Sequence, residues 1–430
     1  MRPNVWKETE KQYPRVLILN RQSIYKENAT GITMRSLWAD WPGSHVLEIH
    51  MDGQNGHHAE DNAIQSIGLP IGFIEKYVKG KAGAHINQSL KKQTDPASSK
   101  KGMREYFRQL CVYILESFPI TVPPNIWDQI VSFSPDVIYT LGGSLSILSL
   151  AYQISCRLKV GIVLHFMDNW LEHNQWEDNP FLGWYFAGLK RNARRCIKRS
   201  NVGIAISPAM AQRYSALCGL PFEVLMNMAD EKMECCTPAE ETGCKRFVYA
   251  GGLHLERWRA LKELAESIDS KCPGGCLDIY TSDDNRERYA PYFAGLPVNF
   301  LPAVPRSQIF QIYQTASVLV HAEYPTPVLK GFFKYSISTK IPEYLSAGRP
   351  VLFYGPSDIG LYQYLEDNQA ALLADTREKL DAVIAQLATD SRQEDMVANA
   401  VNLAKKNHNS KTGRENLRRI MLEATRGSRV

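Results

Sequence analysis

The chain has no long apolar run. Nothing in its 430 residues approaches the roughly 18 consecutive apolar residues of a membrane-crossing helix. The first residues, Met1 to Glu10, carry no apolar stretch of the kind that directs export, so a cytoplasmic protein is expected. Metal-binding cysteine spacing is also missing. Among the nine cysteines, Cys235 and Cys236 are adjacent, and Cys272 and Cys276 flank a Pro-Gly-Gly turn. Neither arrangement makes paired CxxC motifs or a Cys/His set, so reduced thiols and no metal cofactor are expected. A GxGxxG fingerprint is absent, which argues against ordinary dinucleotide binding. There is no internal repeat and no low-complexity tract. The net charge of +5 is small, so charge informs only where it clusters.

What is present is the punctuation of an α/β protein. Buried apolar runs such as Arg15–Asn20, His45–His50, Val160–His165 and Val202–Ser207 alternate with helical patterns such as Met34–Trp41, Ser144–Leu158 and Pro208–Leu217. That alternation predicts parallel sheets covered on both faces. Arg104–Phe118 reads as an amphipathic helix, with Tyr106, Leu110, Val112, Tyr113 and Leu115 available for the core. Gly72–Lys101 is polar and Lys-rich and reads as a long loop. Asp230–Lys245 reads as a hinge, after which the pattern restarts with the strand Arg246–Ala250. The length calls for two domains, each a Rossmann-like, doubly wound sheet, with boundaries at 1–232 and 233–404 and a terminal helical segment, 405–430, packing back on the first. Ligands of such folds gather at the carboxyl ends of the strands, in a cleft between the two halves.

The residues after each strand therefore carry most of the functional information. Lys334-Tyr-Ser-Ile-Ser-Thr-Lys-Ile-Pro-Glu-Tyr-Leu-Ser-Ala-Gly-Arg-Pro-Val351 reads as a polar loop, a short helix and a buried strand. Ser338, Thr339 and Lys340 precede that helix, and Glu343 lies on its first turn. Unpaired N–H groups and an ammonium suit phosphate oxygens, and a carboxylate suits ribose hydroxyls. An ordinary capped helix accounts for the segment equally well. Gly251 and Gly252 follow the strand ending at Ala250 and free the backbone; Arg257 and Arg259 begin the next helix, where acidic residues are usual. Thr30-Gly31 offers a close backbone approach for phosphate or sugar, or a plain turn. His165, Asp168 and Asn169 sit at the end of another strand, placed for catalysis or acceptor contact. Ser282-Asp283-Asp284 is an acidic turn without partner carboxylates, too little for a metal. Phe181 to Arg199 sets Trp184, Tyr185 and Phe186 ahead of six basic residues. This composition suits an anionic membrane surface, or a helix with buried aromatics and solvated charges. No nucleic-acid motif accompanies it, so nucleic acid is not expected as a partner.

From Arg15 to about Lys406 the chain resembles the GT-B glycosyltransferases, in particular the family 4-like retaining group. The resemblance is carried by Ser134-Pro-Asp-Val-Ile-Tyr139, Val202 to Asn227, Phe247 to Leu261 and, most specifically, Glu343-Tyr-Leu-Ser-Ala-Gly-Arg-Pro-Val351. It implies a first domain that binds the acceptor and a second that binds a nucleoside-diphosphate-sugar. Glu343 would bond the ribose. Arg257, with Arg259 as its alternate, and Lys340 would hold the diphosphate as catalytic cations, cradled by Ser338 and Thr339. Fixed cations would stabilise the leaving diphosphate without a metal. His165 would lie near the sugar, on the acceptor side with Asp168 and Asn169.

Three features depart from the family pattern. The separated Arg and Lys usual in the donor loop are displaced, their expected places falling near Gly252 and Trp258, so the role passes to Arg257. A further glutamate, usual eight residues before the helix glutamate, is replaced by Tyr335, which offers one hydroxyl instead of two carboxylate oxygens. Extra residues, Glu323 to Phe333, follow His321, and Glu323 is a candidate for the missing carboxylate. The expected activity is transfer of a sugar, with retention, from a UDP- or GDP-sugar to a glycan or lipid-linked acceptor in surface polysaccharide or glycolipid synthesis. Association with an anionic membrane surface is a further expectation. A sugar-nucleotide epimerase of the same architecture and a catalytically silent assembly partner are the alternatives.

Overall fold

The computed structural model describes residues 13–26, 28–52, 63–69, 103–173, 179–229, 245–326, 331–389 and 393–426. The expected loop at 72–101, the adjacent pair Cys235 and Cys236, and all of the expected hinge except Lys245 fall outside them. The chain forms two compact units. One holds the described residues up to Met226 together with Ser410–Arg426, and the other runs from Asn227 to Asn409.

The first unit is built from β1 (Val16–Asn20), α1 (Ala29–Trp38), β2 (Val46–His50), β3 (Gln65–Gly68), α2 (Met103–Glu116), α3 (Pro124–Phe133), β4 (Val137–Leu141) and α4 (Leu145–Leu158). It continues through β5 (Gly161–Phe166), α5 (Gly183–Ile197), β6 (Gly203–Ala205), α6 (Pro208–Cys218) and β7 (Phe222–Val224). Its strands lie in the order β3-β2-β1-β4-β5-β6-β7, every pair parallel. The order reverses between β1 and β4. All residues of β1, β2 and β5 are buried, and β1 and β5 accordingly read as near-continuous apolar runs, whereas Glu48 and His50 interrupt the run in β2.

The second unit contains β8 (Arg246–Ala250), α7 (Arg257–Lys271), β9 (Cys276–Thr281), α8 (Asp283–Tyr289), β10 (Val298–Pro302), α9 (Arg306–Gln314) and β11 (Val318–Ala322). It ends with α10 (Ile341–Ser346), β12 (Val351–Tyr354), α11 (Gly360–Asp367), β13 (Leu372–Ala374), α12 (Arg377–Thr389) and α13 (Glu394–Asn407). The sheet order is β10-β9-β8-β11-β12-β13, again parallel throughout, with its reversal between β8 and β11. On α7, Leu261, Leu264, Ala265 and Ile268 are fully buried at helical spacing. Each such leucine or isoleucine contributes about 1.5–3 kcal/mol by leaving water.

The last helix, α14 (Ser410–Arg426), belongs to the first unit. Its stripe of Leu417, Ile420, Met421 and Ala424 is buried where α14 meets α1, β4 and β5. Arg414 Nη1 reaches Asp40 Oδ1 at 2.7 Å, and Arg419 Nη2 reaches Glu223 Oε2 at 3.0 Å. No helix among the described residues is long and apolar enough to cross a membrane.

Some local expectations need correction. Thr30-Gly31 lies in the first turn of α1 and is not a plain turn, because Asn28 Oδ1 caps the helix by accepting from Gly31 N at 2.8 Å. The acidic Ser282–Asp284 stretch opens α8, where Asp283 lies 3.2 Å from Arg286. On α2 the buried polar side chains are Gln109 and Glu116, while Tyr106, Leu110, Val112 and Tyr113 are only half-buried. Of the three aromatics on α5, Tyr185 is buried and Trp184 is 47% exposed, so the aromatics of this segment are not all core.

Candidate functional site

The second unit's strand order reverses between β8 and β11, and a sequence of unusual backbone lies just past β8. Gly251 has φ 144°, a region open to glycine alone at little cost, and its N–H donates to Tyr280 O at 2.9 Å. Leu255 and Glu256 both have φ 61°, which turns the chain sharply into α7. Arg257 is the first residue of that helix. Past β11, Glu323 N extends the ladder by donating to Tyr354 O at 3.0 Å. The two chain segments meet through a bidentate ion pair: Arg257 Nε to Glu323 Oε2 at 3.0 Å and Nη2 to Oε1 at 2.6 Å. Their side chains are 12% and 6% exposed, so the pair is shielded from solvent.

Lys340 comes to the same place from the N-terminal end of α10. Its ammonium donates to Tyr249 Oη at 3.1 Å and lies 4.2 Å from the centre of that ring. Tyr249 in turn donates to Gly252 O at 2.7 Å. A Cβ on Gly251 would overlap Lys340 Nζ and sit 2.6 Å from Cε, so the glycine is what gives the lysine its berth. Among the described residues Lys340 has no carboxylate in ion-pair contact. Burial, and then repulsion from Arg257, lower its pKa to about 7, while Glu323 and Glu343 oppose the fall.

The neighbouring groups follow the same electrostatics. Burial would raise the Glu323 carboxyl, but Arg257 and then His321 outweigh it and hold the group at about 2. Burial disfavours the Arg257 charge, and Glu323 outweighs that so that its pKa is raised. His254 falls to about 4 through burial and then through Arg257 and Lys340. His321 is fully buried and falls to about 4, chiefly by burial. Its Nε2 lies 3.2 Å from Glu323 Oε1, and the pull of that carboxylate toward the charged imidazole is outweighed by burial. At neutral pH the site thus holds Arg257 and a titrating Lys340 as cations, Glu323 as an anion, and two neutral imidazoles.

Glu343 lies on the first turn of α10 and is 8% exposed. Ser338 O accepts from Ile341 N at 3.1 Å, which helps close the helix start, while Thr339 is exposed. Asn227 Nδ2 fixes the loop from behind by donating to Ile337 O at 3.0 Å. Arg259 is not with Arg257: it pairs with Glu256 and lies over the rings of Trp258 and Tyr324. Gly252 makes room for His254, whose ring a Cβ there would overlap. Tyr335, half-buried, packs against Gly360.

In the first unit, His165 closes β5, fully buried. Its Nδ1 pairs with Tyr139 Oη at 2.6 Å, and its Nε2 has no hydrogen-bond partner among the described residues. Burial lowers its pKa to about 3, so the ring is neutral. Asn169 is fully buried and its Oδ1 accepts from Tyr214 Oη at 3.1 Å, tying the loop to α6. Asp168 is half-buried, and its carbonyl accepts from Trp170 N at 2.8 Å. Gly31 faces its own chain, because a Cβ there would overlap Lys26 O. At the order reversal of this sheet, Arg21 lies 3.3 Å from Glu116, which also accepts from Ser144 Oγ at 2.9 Å.

Tyr249, His254 and the Arg21–Glu116 pair were not singled out from sequence. Tyr249 looks like any strand aromatic, and the Arg21–Glu116 contact joins residues far apart in the chain. Among the described residues no group of three or more His, Cys, Asp or Glu is arranged to hold a metal ion.

No protein-family profile matches the chain, and no curated protein matches it. Solved structures do. HepE from Anabaena in complex with UDP is 14% identical, with a TM-score of 0.62 over 95% of this chain and 100% of that one. Sucrose-phosphate synthase from Thermosynechococcus elongatus is 12% identical, with a TM-score of 0.64 over 95% and 98%. The α,α-trehalose 6-phosphate synthase from Burkholderia multivorans is 11% identical, with a TM-score of 0.61 over 96% and 98%. These neighbours are GT-B glycosyltransferases, and the chain, with its two parallel Rossmann-like sheets, has the GT-B fold.

Proposed function

We propose that the protein is a glycosyltransferase that takes a sugar from a nucleoside-diphosphate-sugar and passes it, with retention, to a glycan or lipid-linked acceptor. The observation that carries this reading is Lys340, an ammonium wedged against Gly251 and Tyr249 beside Arg257, with no carboxylate in contact among the described residues. Two cations at the order reversal of a parallel sheet suit a diphosphate. Glu343, one turn further on, is assigned to the ribose hydroxyls.

The chemistry follows from the charge. The bond from the sugar's anomeric carbon to the diphosphate breaks, and its electron pair leaves on the phosphate oxygen. The acceptor hydroxyl oxygen bonds that carbon, and its proton is taken up by the diphosphate. Negative charge on the leaving group grows in the transition state, so cations fixed beforehand favour it over the ground state. The HepE structures contain UDP and UDP-glucose, which makes a uridine diphosphate sugar the first donor to test. The acceptor is assigned to the first unit, where His165 and the Arg21–Glu116 pair lie at strand ends. Use in surface polysaccharide or glycolipid synthesis is part of the same proposal.

The exposed Phe181 and Trp184, with Arg191, Arg194, Arg195 and Lys198 exposed on the same stretch, support contact with an anionic membrane surface. Flotation with phosphatidylserine vesicles tests it: co-flotation that vanishes with neutral lipid is expected, and indifference to lipid charge rejects it. The donor reading is tested by thermal shift against UDP-, GDP-, ADP- and dTDP-sugars. One of them is expected to raise the melting temperature in the native protein and not in Lys340→Ala. No shift with any of them rejects the reading.

A further inference from the structure

The Arg257–Glu323 pair raises a question that donor binding alone does not answer. A cation meant for phosphate is already held, in both of its side-on positions, by a carboxylate of its own protein. A buried ion pair recovers little net stability, because removing both charges from water costs about as much as their attraction returns. Packing alone would be served as well by two apolar side chains. The geometry indicates what the charges are for. Glu323 engages Nε and Nη2 of the guanidinium, so the edge carrying Nη1 remains, and Nη1 makes no hydrogen bond among the described residues. The ring of Phe333 lies 5.7 Å from the guanidinium carbon and limits its tilt. Glu323 itself cannot wander: its backbone N–H is fixed to Tyr354 O, and a Cβ on Gly355 would come 3.0 Å from its carbonyl.

We propose that Glu323 is a positioning residue of the donor site, which turns the Nη1 edge of Arg257 toward the diphosphate and sets a fixed negative charge beside Arg257 and Lys340. This rests on the donor reading above. It gives Glu323 a different task from direct contact with the donor sugar: both of its oxygens are spent on Arg257, so it acts through the arginine. The charged and titratable groups facing Lys340 are Tyr249 on β8, His254 and Arg257 at the start of α7, His321 and Glu323 at the end of β11, and Glu343 on α10. The two histidines are already neutral well below pH 7, and burial pushes the Tyr249 phenol up, so Lys340 is the group that changes charge between pH 6.5 and 9. Glu323 opposes that loss of charge.

The test is calorimetric titration of UDP into the full chain across pH 6.5 to 9, for the native protein, Glu323→Gln and Glu323→Asp. In the native protein affinity is expected to fall as pH rises past about 7, where the ammonium loses its proton. Glu323→Gln keeps the shape but not the charge. The fall is expected to begin at lower pH, with UDP binding at least tenfold weaker at pH 7.5. Glu323→Asp keeps the charge on a shorter arm. It is expected to retain the native onset and to lose affinity severalfold through poorer aim. A Gln variant with native onset and affinity overturns the inference, as does a pair of variants equally weakened with unchanged onset, the mark of a merely structural pair. If the Gln variant does not fold, an Asp variant with full native affinity overturns the inference, and one with native onset and weakened binding supports it. UDP binding that survives Lys340→Ala and Arg257→Ala unchanged overturns the donor site itself, and the role of Glu323 with it.

Discussion

Replacing Gly251 with alanine disturbs the donor site without replacing any charged group assigned to the ligand. The backbone there has φ 144°, and holding an L-residue in such a region costs about 1–3 kcal/mol. The added Cβ would also overlap Lys340 Nζ and lie 2.6 Å from Cε, so the ammonium must leave its place over Tyr249. One charge-assisted hydrogen bond to the diphosphate, worth about 1.5–3 kcal/mol, goes with it. Calorimetry with UDP at pH 6.5, where Lys340 is charged, is expected to show a dissociation constant weakened by about 10- to 150-fold. Gly274→Ala is the control. That residue also has positive φ, at 80°, but its Cβ would meet nothing within 4 Å. It should lower the melting temperature and leave UDP affinity alone. A Gly251→Ala protein that is destabilised yet binds UDP as the native one does would refute the claim that the glycine exists to seat Lys340.

Two further predictions concern the first unit. Glu48 is fully buried on β2 and accepts from Ser66 Oγ at 2.6 Å and Ile24 N at 2.8 Å, yet burial outweighs these bonds and raises its pKa to about 7. A raised carboxyl contributes stability that is full below its unfolded value and is lost as pH rises through 7. Glu48→Gln is therefore expected to flatten the decline in stability between pH 4.5 and 7 in chemical denaturation, and an unchanged slope would contradict this. On α14, Ile420→Ala removes a fully buried side chain and should cost about 2–5 kcal/mol, read as a lower denaturation midpoint; a loss under 0.5 kcal/mol would show that the terminal helix is not part of the core.

The sheets were legible because their strands are buried on both faces. Runs such as Val16–Asn20, Arg246–Ala250 and Val351–Tyr354 announce themselves without any knowledge of neighbours. Edge elements were less so: β3, with the sequence Gln-Ser-Ile-Gly and ends less buried than its middle, and β13, only Leu372–Ala374, carry too few residues for a pattern. Helices α3 and α11 also escaped notice, between more strongly patterned neighbours. The start of α1 was hidden because Asn28, Thr30 and Gly31 read as turn residues until the Asn28 cap is seen. At the candidate site, Gly251, Arg257 and Lys340 stood out by type and position. Their relation did not, because it depends on Tyr249 and Glu323, which lie about 90 and 66 residues away from their partners along the chain. Long-range pairing of that kind is written in the sheet order. A strand order that reverses between β8 and β11 brings Arg257 and Glu323 together, and no local pattern encodes it.

The central claim is recognition of a diphosphate by Arg257 and Lys340, and a paired calorimetric titration tests it most directly: UDP against uridine, in the native protein and in Lys340→Ala and Arg257→Ala. Binding of UDP but not of uridine by the native protein, with UDP affinity lost in each variant, is the predicted result. Native protein that binds neither, or binds uridine as tightly as UDP, or variants that bind UDP undiminished, would contradict it.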